Sequence, residues 1–174
     1  LTGTPANTTW LTYLRCHDDI GWAVGDDDAA AAGLSGGAHR AFLADWYSGR
    51  FPGSWARGLV FQHDPVTGDR RISGTAAELA GVWASVPADP DALELAIRRL
   101  VLGHAIIFGW GGIPVLWMGD ELALPNDPSW ADEAGHRGDN RWAHRPRMPW
   151  PLADLRHDPQ TVPGWVFGAV RHLA

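Results

Sequence analysis

The feature that most constrains this chain is a short apolar stretch that ends in three titratable side chains. Residues 10–16 are rich in aromatic and β-branched types, which predicts a buried strand. His17, Asp18 and Asp19 follow directly. Placing such groups after a buried strand is costly unless they face water or a ligand. Because the chemistry of α/β barrels lies at the C-terminal ends of their strands, we expect a functional pocket here.

The length favours part of a larger fold. The chain has 174 residues, which is enough for one core but short of the roughly 250 residues of a complete eight-stranded barrel. It begins at Leu1 and ends at Ala174, inside a predicted helix. We therefore expect a piece of a longer enzyme rather than a small complete domain.

The charge and cysteine content narrow the function classes. The 14 basic residues, all of them Arg, stand against 20 acidic residues, for a formal net charge of −6. Such a surface repels a phosphate backbone, so nucleic acid is not an expected partner. The single cysteine, Cys16, cannot form an internal disulfide, and the first residues show no signal-peptide pattern. We expect a cytoplasmic protein and leave secretion open.

One segment imitates a membrane span. Residues 100–119 carry no charge apart from a possible one on His104, and about 20 residues are enough to cross a bilayer. Three glycines within residues 109–112, and Pro114, would interrupt such a helix at its middle. We interpret the segment as a buried helix followed by a buried strand.

The remaining patterns predict alternating strands and helices. Asp89 is a good N-cap and Pro90 suits a first helical turn. The helix that follows should bury one face, made of Leu93, Ile97, Leu100, Val101, His104 and Phe108. The other predicted elements are strands at 9–16 and 113–118, helices at 26–32, 39–47, 76–84 and 162–173, a turn at 65–69 and a long loop at 127–151.

Three interpretations of His17, Asp18 and Asp19 remain open on the residues alone. They could form a structural hydrogen-bond cluster, a metal site or a carbohydrate site. A metal site needs further ligands at set distances, which this strand-like context does not supply. The carbohydrate interpretation is favoured by a set of loop arginines and tryptophans, since guanidinium groups bind hydroxyls and indoles stack on sugar rings. These are Arg40, Arg57, Arg71, Arg141, Arg145, Trp22, Trp46, Trp55, Trp130 and Trp142.

A run of motifs resembles a known family. Residues 15–22, Arg-Cys-His-Asp-Asp-Ile-Gly-Trp, resemble the seventh-strand signature of the α-amylase superfamily (glycoside hydrolase family 13), in the form found in amylosucrases. Cys16 stands where most members of the superfamily have Asn. The resemblance continues in order through His39-Arg40, Arg50-Phe51, Ala56-Arg57-Gly58, Thr67-Gly68-Asp69, residues 71–75, Gly111-Gly112-Ile113-Pro114, Gly119-Asp120-Glu121, residues 139–142 and residues 144–147.

The resemblance implies a retaining glucosyltransferase that moves glucose from sucrose to an α-1,4-glucan and releases fructose, with no cofactor and no metal. Asp18 matches the carboxylate that stabilises the transition state, and His17 matches a hydrogen-bond donor to the same glucose. The other matches are substrate contacts. Asp19 and Arg71 match contacts to the fructosyl or acceptor ring, Arg40 an outer acceptor contact, and Arg141 the partner of an Asp at the pocket floor, in sequence not present here.

The resemblance also implies a fold and its divisions. The fold class is α/β, a partial (β/α)8 TIM barrel with strands seven and eight. Residues 1–22 would hold strand seven and the start of the catalytic loop, 23–75 an inserted subdomain, and 76–174 helix seven, strand eight, a long loop and the start of helix eight. The motifs with the nucleophile and the general acid/base are missing. The remainder of the barrel is therefore an expected partner, and we expect the chain alone to be inactive and to aggregate.

Two classes of alternative remain. A sucrose hydrolase or another α-glucosidase or α-amylase-type enzyme would use the same superfamily machinery. A metal-dependent phosphohydrolase centred on His17 and Asp18 belongs to another class, and a sugar-binding protein without catalysis is a third possibility.

Overall fold

The computed structural model describes residues 5–85 and 89–174. Its strands are β1 (Leu11–Tyr13), β2 (Leu59–Phe61), β3 (Arg71–Ser73) and β4 (Ile113–Val115). Its α-helices are α1 (Asp26–Ala31), α2 (Gly36–Tyr47), α3 (Ala76–Ala80), α4 (Val82–Ser85), α5 (Pro90–Gly109), α6 (Trp150–Asp154) and α7 (Val162–Leu173). Single 3₁₀ turns lie at Asp120–Leu122, Asn140–His144 and Leu155–His157.

The first sheet pairs β1 with β4 in parallel, with Leu11 opposite Ile113 and Tyr13 opposite Val115. Helix α5 crosses between them, and the Thr12 hydroxyl donates to the Ile107 carbonyl of that helix at 3.0 Å. This is the predicted strand–helix–strand order, but each strand has only three residues. The prediction that both strands are buried is wrong, because Leu11 and Ile113 are more than half exposed. The fold is mixed α/β. Residues 5–85 and 89–174 form no closed barrel, so the partial barrel stays a prediction.

The second sheet lies in the segment predicted as an insertion. Strands β2 and β3 pair antiparallel, and Ile20 adds an isolated bridge to Ile72. Ile72 is fully buried against Ala44 of α2 and Leu79 of α3. Helix α2 begins three residues before the predicted start, because the Ser35 side chain accepts a hydrogen bond from the Ala38 amide and caps it.

The helix predicted over residues 76–84 is two helices. Gly81 separates α3 from α4 with φ of 84°, a left-handed conformation that ends a helix. A Cβ at this position would lie 2.8 Å from Trp55. The prediction of one continuous helix was wrong, because glycine and a distant tryptophan together impose the break.

Helix α5 begins where the capping residues predicted. The Asp89 carboxylate accepts from the Asp91 and Ala92 amides, with Pro90 in the first turn. The helix buries Ala96, Ile97, Leu100, His104 and Ile107, so Ile107 takes the place predicted for Phe108. No helix among the described residues has the length and apolarity to cross a bilayer.

The C-terminal region packs over α5. Val166 and Val170 of α7 join the main hydrophobic core together with Ile97 and Leu100. Thr161 caps α7 by accepting from the Gly164 amide, so this predicted helix is confirmed. The predicted loop at 127–151 ends earlier, because α6 begins at Trp150.

Candidate functional site

The site starts from a buried ion pair that ties the ends of the two parallel strands together. Arg15 follows β1, and Asp120 follows β4 after the turn at Gly119. The Arg15 Nε and Nη2 atoms donate to Asp120 Oδ1 at 2.9 and 2.7 Å, and both side chains are at most 3% exposed. Burial raises the pKa of Asp120, and the positive charge of Arg15 opposes that rise. The pair therefore links the segment that follows β1 to the segment that follows β4.

The three titratable residues after β1 differ in exposure. The His17 and Asp18 side chains are 55% and 50% exposed, whereas that of Asp19 is only 7% exposed. The His17 ring packs against Trp117 with 5.5 Å between centroids. His17 Nε2 lies 3.5 Å from Asp18 Oδ2. His17 and Asp18 thus face solvent four and five residues beyond the end of β1, rather than directly after the strand as predicted, and the Asp19 side chain is largely buried.

Arg141 binds Asp18 Oδ1, whereas His17 lies beside Oδ2, the other carboxylate oxygen. Its Nη1 donates to Asp18 Oδ1 at 3.0 Å and lies 3.8 Å from Asp19 Oδ1. Its Nε and Nη2 form a fork on Asp139, each at 2.8 Å. This fork raises the pKa of Arg141 and lowers that of Asp139. Arg141 was predicted to pair with an Asp outside this sequence; among the described residues its fork is occupied by Asp139.

Arg71 approaches from the second sheet. Its Nη1 donates to Asp19 Oδ2 at 3.3 Å, and its side chain is 55% exposed. The structure therefore brings together five of the predicted site residues, which are His17, Asp18, Asp19, Arg71 and Arg141.

Arg40 lies apart from this cluster but shares a cavity with Arg71. The cavity measures about 570 Å³ and is also lined by Trp22, Gln62 and His63. Arg40 donates to Asp69 and Asp26, both at 2.9 Å. These two hydrogen bonds raise its pKa. Arg71 belongs both to the Asp19 pair and to the cavity wall, so the cavity borders the titratable cluster through this one side chain.

The metal interpretation meets an electrostatic obstacle. Cys16, His17 and Asp18 offer ligand atoms that all lie within 4.8 Å of one another. However, Asp18 already accepts from the Arg141 guanidinium, and Arg145 donates to the main chain of His17. Two fixed positive charges beside three candidate ligands disfavour a divalent cation.

The other residues of the arginine and tryptophan set divide by role. Arg57 donates to the Ser54 and Ala56 carbonyls and so stabilises a loop. Trp46 and Trp55 pack edge to face with 4.7 Å between centroids. Of this remaining set, Arg145 alone bonds directly to the site in the part of the chain that the structure describes. No protein-family model matches the chain.

Sequence reasoning missed two contributors to the site. Asp139, which fixes Arg141, and His144, which contacts the His17 carbonyl at 2.9 Å, had no predicted role. Both lie in the 3₁₀ turn Asn140–His144 or cap it. Two signals pointed to this segment without giving either residue a role. One is the polar loop of about 25 residues, which is long enough to be functional, and the other is the resemblance that includes Asp139 and His144.

Proposed function

We propose that this chain is the C-terminal part of the catalytic barrel of an amylosucrase-type enzyme, which moves glucose from sucrose to an α-1,4-glucan with retention. The observation that carries the proposal is the half-exposed Asp18, placed after a strand end and fixed by Arg141 at 3.0 Å. In this proposal β1 and β4 are the seventh and eighth barrel strands.

The proposed chemistry is a double displacement. A carboxylate nucleophile attacks the anomeric carbon of the glucosyl unit while the bond to the fructosyl oxygen breaks and a general acid protonates that oxygen. An acceptor hydroxyl then attacks the glucosyl-enzyme and gives its proton to the same acid/base group. The nucleophile and the acid/base belong to earlier strands of the barrel.

Asp18 has the properties of the third carboxylate in such a site. An ionised carboxylate only accepts hydrogen bonds. It therefore binds sugar hydroxyl groups that donate to it. Arg141 occupies Oδ1, which leaves Oδ2 beside His17 to meet the glucose. Positive charge that develops on the ring in the oxocarbenium-like transition state strengthens this contact, so binding favours the transition state over the ground state.

Arg71 and Asp19 suit the neighbouring sugar. The Asp19 carboxylate is held by Arg71 at 3.3 Å, and half of the Arg71 side chain stays exposed to the cavity. A guanidinium fork and an indole, here Trp22, are the groups that bind hydroxyls and sugar faces. Arg40 lines the same cavity, bonds to Asp69 and Asp26 rather than to the cluster after β1, and fits an outer acceptor contact.

The open sheet face supports the barrel part of the proposal. Leu11, Tyr13, Ile113 and Val115 lie on one face of the β1–β4 sheet and are 63%, 52%, 53% and 37% exposed. The opposite face contacts α5 through Thr12. Barrel strands bury their inner face against side chains from the other strands. The occupant we propose for this face is the remaining strands of the same barrel.

The test uses the protein expressed from its complete reading frame and incubated with sucrose. We expect fructose release together with insoluble α-glucan. Asp18→Asn should lower kcat by about three orders of magnitude or more, because the carboxylate charge acts mainly in the transition state. Asp27→Asn, in the exposed first turn of α1, is the matched control and should keep full activity.

Three outcomes would contradict the proposal. The first is no fructose release by the folded wild-type protein, and the second is near-normal turnover by Asp18→Asn. The third is loss of activity in a chelator together with stoichiometric bound metal, which would indicate the phosphohydrolase alternative. Release of glucose and fructose without glucan would instead identify a sucrose hydrolase.

A further inference from the structure

The main-chain carbonyl of His17 receives an unusual number of hydrogen bonds. His144 Nε2 lies 2.9 Å from this oxygen, and Arg145 donates to it from Nε at 2.9 Å and from Nη2 at 2.7 Å. A carbonyl oxygen has two lone pairs, so three N–H groups saturate it. The peptide that they hold joins His17 to Asp18, the two residues at the centre of the proposed site.

The tautomer of His144 follows from its second partner. The Gly74 amide donates to His144 Nδ1 at 2.9 Å, so that nitrogen carries no proton. The proton therefore sits on Nε2, which donates to the His17 carbonyl. The ring is 1% exposed, and burial lowers the pKa of His144 to about 4. The imidazole is thus neutral near pH 7 and bridges Gly74, after β3, to the loop after β1.

The peptide on the other side of His17 is also held. Arg15 Nη1 donates to the Cys16 carbonyl and to the His144 carbonyl, both at 3.3 Å. The same guanidinium is fixed by Asp120. The main chain is therefore fixed on both sides of His17, independently of the contacts that the His17 and Asp18 side chains make.

We propose that His144 and Arg145 are positioning residues, which set the place of Asp18 and His17 through the carbonyl of His17. This inference rests on the proposed function. It assigns a task that Arg141 cannot perform, because Arg141 orients the carboxylate of Asp18 whereas the carbonyl contacts fix the main chain that carries it. Neither His144 nor Arg145 needs to touch the sugar for this role.

A pair of substitutions at His144 separates its two hydrogen bonds. His144→Gln can place an amide N–H where Nε2 lies and so can still donate to the His17 carbonyl. His144→Asn can place an amide oxygen near Nδ1 and so can still accept from Gly74, but it loses the donor. A purely structural histidine would be replaced about equally well by either amide.

At Arg145 the matched pair is Arg145→Lys and Arg147→Lys. Lysine keeps the charge but cannot make the two-pronged contact with the His17 carbonyl. Arg147 lies two residues away, is 88% exposed and pairs only with Glu133 among the described residues, so Arg147→Lys is the control. His157→Gln, at an exposed position, is the control for the His144 variants.

The experiment measures kcat and KM on sucrose for the complete protein, the thermal midpoint of each variant, and crystal structures of the wild type, Arg145→Lys and His144→Asn. We expect His144→Asn and Arg145→Lys to lower kcat by about 10- to 100-fold, since a displacement of about 1 Å has such an effect. KM should change by less than about threefold, because the lost effect lies in transition-state geometry. His144→Gln should keep kcat within about threefold of the wild type. In the crystal structures of Arg145→Lys and His144→Asn, the distance from Arg141 Nη1 to Asp18 Oδ1 should exceed the 3.0 Å of the unsubstituted protein.

Equal kcat values for His144→Gln and His144→Asn would overturn the proposal, as would an unmoved Asp18 in the Arg145→Lys crystal structure. The two proposals fail separately. If the wild-type protein does not act on sucrose, the proposed function fails, and the position of Asp18 in the variant structures alone then decides the positioning role. If the wild type is active and neither variant moves Asp18 or lowers kcat, only the positioning role fails.

Discussion

The C-terminal end and the open face of the β1–β4 sheet differ in burial: the polar residues at the end are buried, whereas the apolar residues on the face are exposed. At the C-terminal ends, Arg15, Asp120 and His144 are at most 4% exposed and are bonded to one another or to neighbouring peptides. On the face of the same strands, Leu11 and Ile113 are more than half exposed. The polar contacts at these ends are therefore made by residues of this chain, whereas the apolar face of its sheet is left exposed.

The largest expected effect comes from breaking the polar end. Asp120→Ala leaves the Arg15 charge buried without its partner, and we expect the free energy of unfolding of the complete protein to fall by about 3–5 kcal/mol. The double variant Arg15→Met/Asp120→Leu removes both charges and should recover more than half of that loss. Urea unfolding of the two variants measures both values. A loss below about 1 kcal/mol for Asp120→Ala would show that this end is not the stabilising one.

A substitution on the open face of the β1–β4 sheet tests whether other strands cover that face in the complete protein. Ile113→Gln in the complete protein should lower the free energy of unfolding by about 2–4 kcal/mol, because the proposed barrel strands bury this side chain. In the isolated chain the same substitution should reduce light scattering and binding of an apolar dye, since Ile113 is 53% exposed there.

Val66→Gln is the control for this prediction. Val66 lies in the turn at 65–69 and is 92% exposed, so neither measurement should change. If Ile113→Gln leaves the complete protein as stable as the wild type, the face is not covered by barrel strands.

The comparison also separates what the sequence could predict from what it could not. The start of α5 was predictable because Asp89 and Pro90 act within one turn of the residues they cap. His17 and Asp18 were found because polar groups after an apolar run are a local signal. The split at Gly81 depends on Trp55, 26 residues away in the sequence, and local patterns carry no record of that contact.

The contacts of His144 were hidden for the same physical reason. Its ring joins Gly74 to His17, which lie 70 and 127 residues away along the chain. A histidine in a polar loop has the same local sequence whether it is solvated or buried. Asp18, Asp19 and the arginines that face them were therefore predictable, whereas the His144 contact that holds the main chain was not.

Acid should weaken the polar end in a defined range of pH. Folding lowers the pKa of His144 from 6.5 to about 4. Between these values the unfolded chain binds the proton and the folded state does not, so stability is lost as the pH falls through 6.5 and is fully present above it. The groups that face the ring are Arg15, Arg145 and Asp139, the Gly74 amide and the His17 carbonyl.

We expect the His144 contribution to fall by about 2 kcal/mol between pH 7.5 and pH 5. The measurement is the difference in unfolding free energy between the wild type and His144→Gln at each pH, because the shifted carboxyls of Asp120 and Asp139 are present in both proteins and cancel. A difference that stays constant with pH would contradict the neutral, buried state of His144.

The smallest effect on stability is expected at the exposed edge of the site. Arg71 is 55% exposed and its bond to Asp19 is long, at 3.3 Å, so Arg71→Ala should change the free energy of unfolding by less than about 1 kcal/mol. Its expected effect is on binding: KM for sucrose or acceptor should rise about tenfold, since a charge-assisted hydrogen bond to a hydroxyl contributes about 1.5 kcal/mol.

Arg70→Ala is a useful contrast, because Arg70 lines the same cavity but is bonded to Asp45 at 2.6 Å. A larger rise in KM for Arg70→Ala than for Arg71→Ala would move the sugar-binding edge away from Asp19. The reverse order would place it beside Asp18 and Asp19, the carboxylates in the loop after β1.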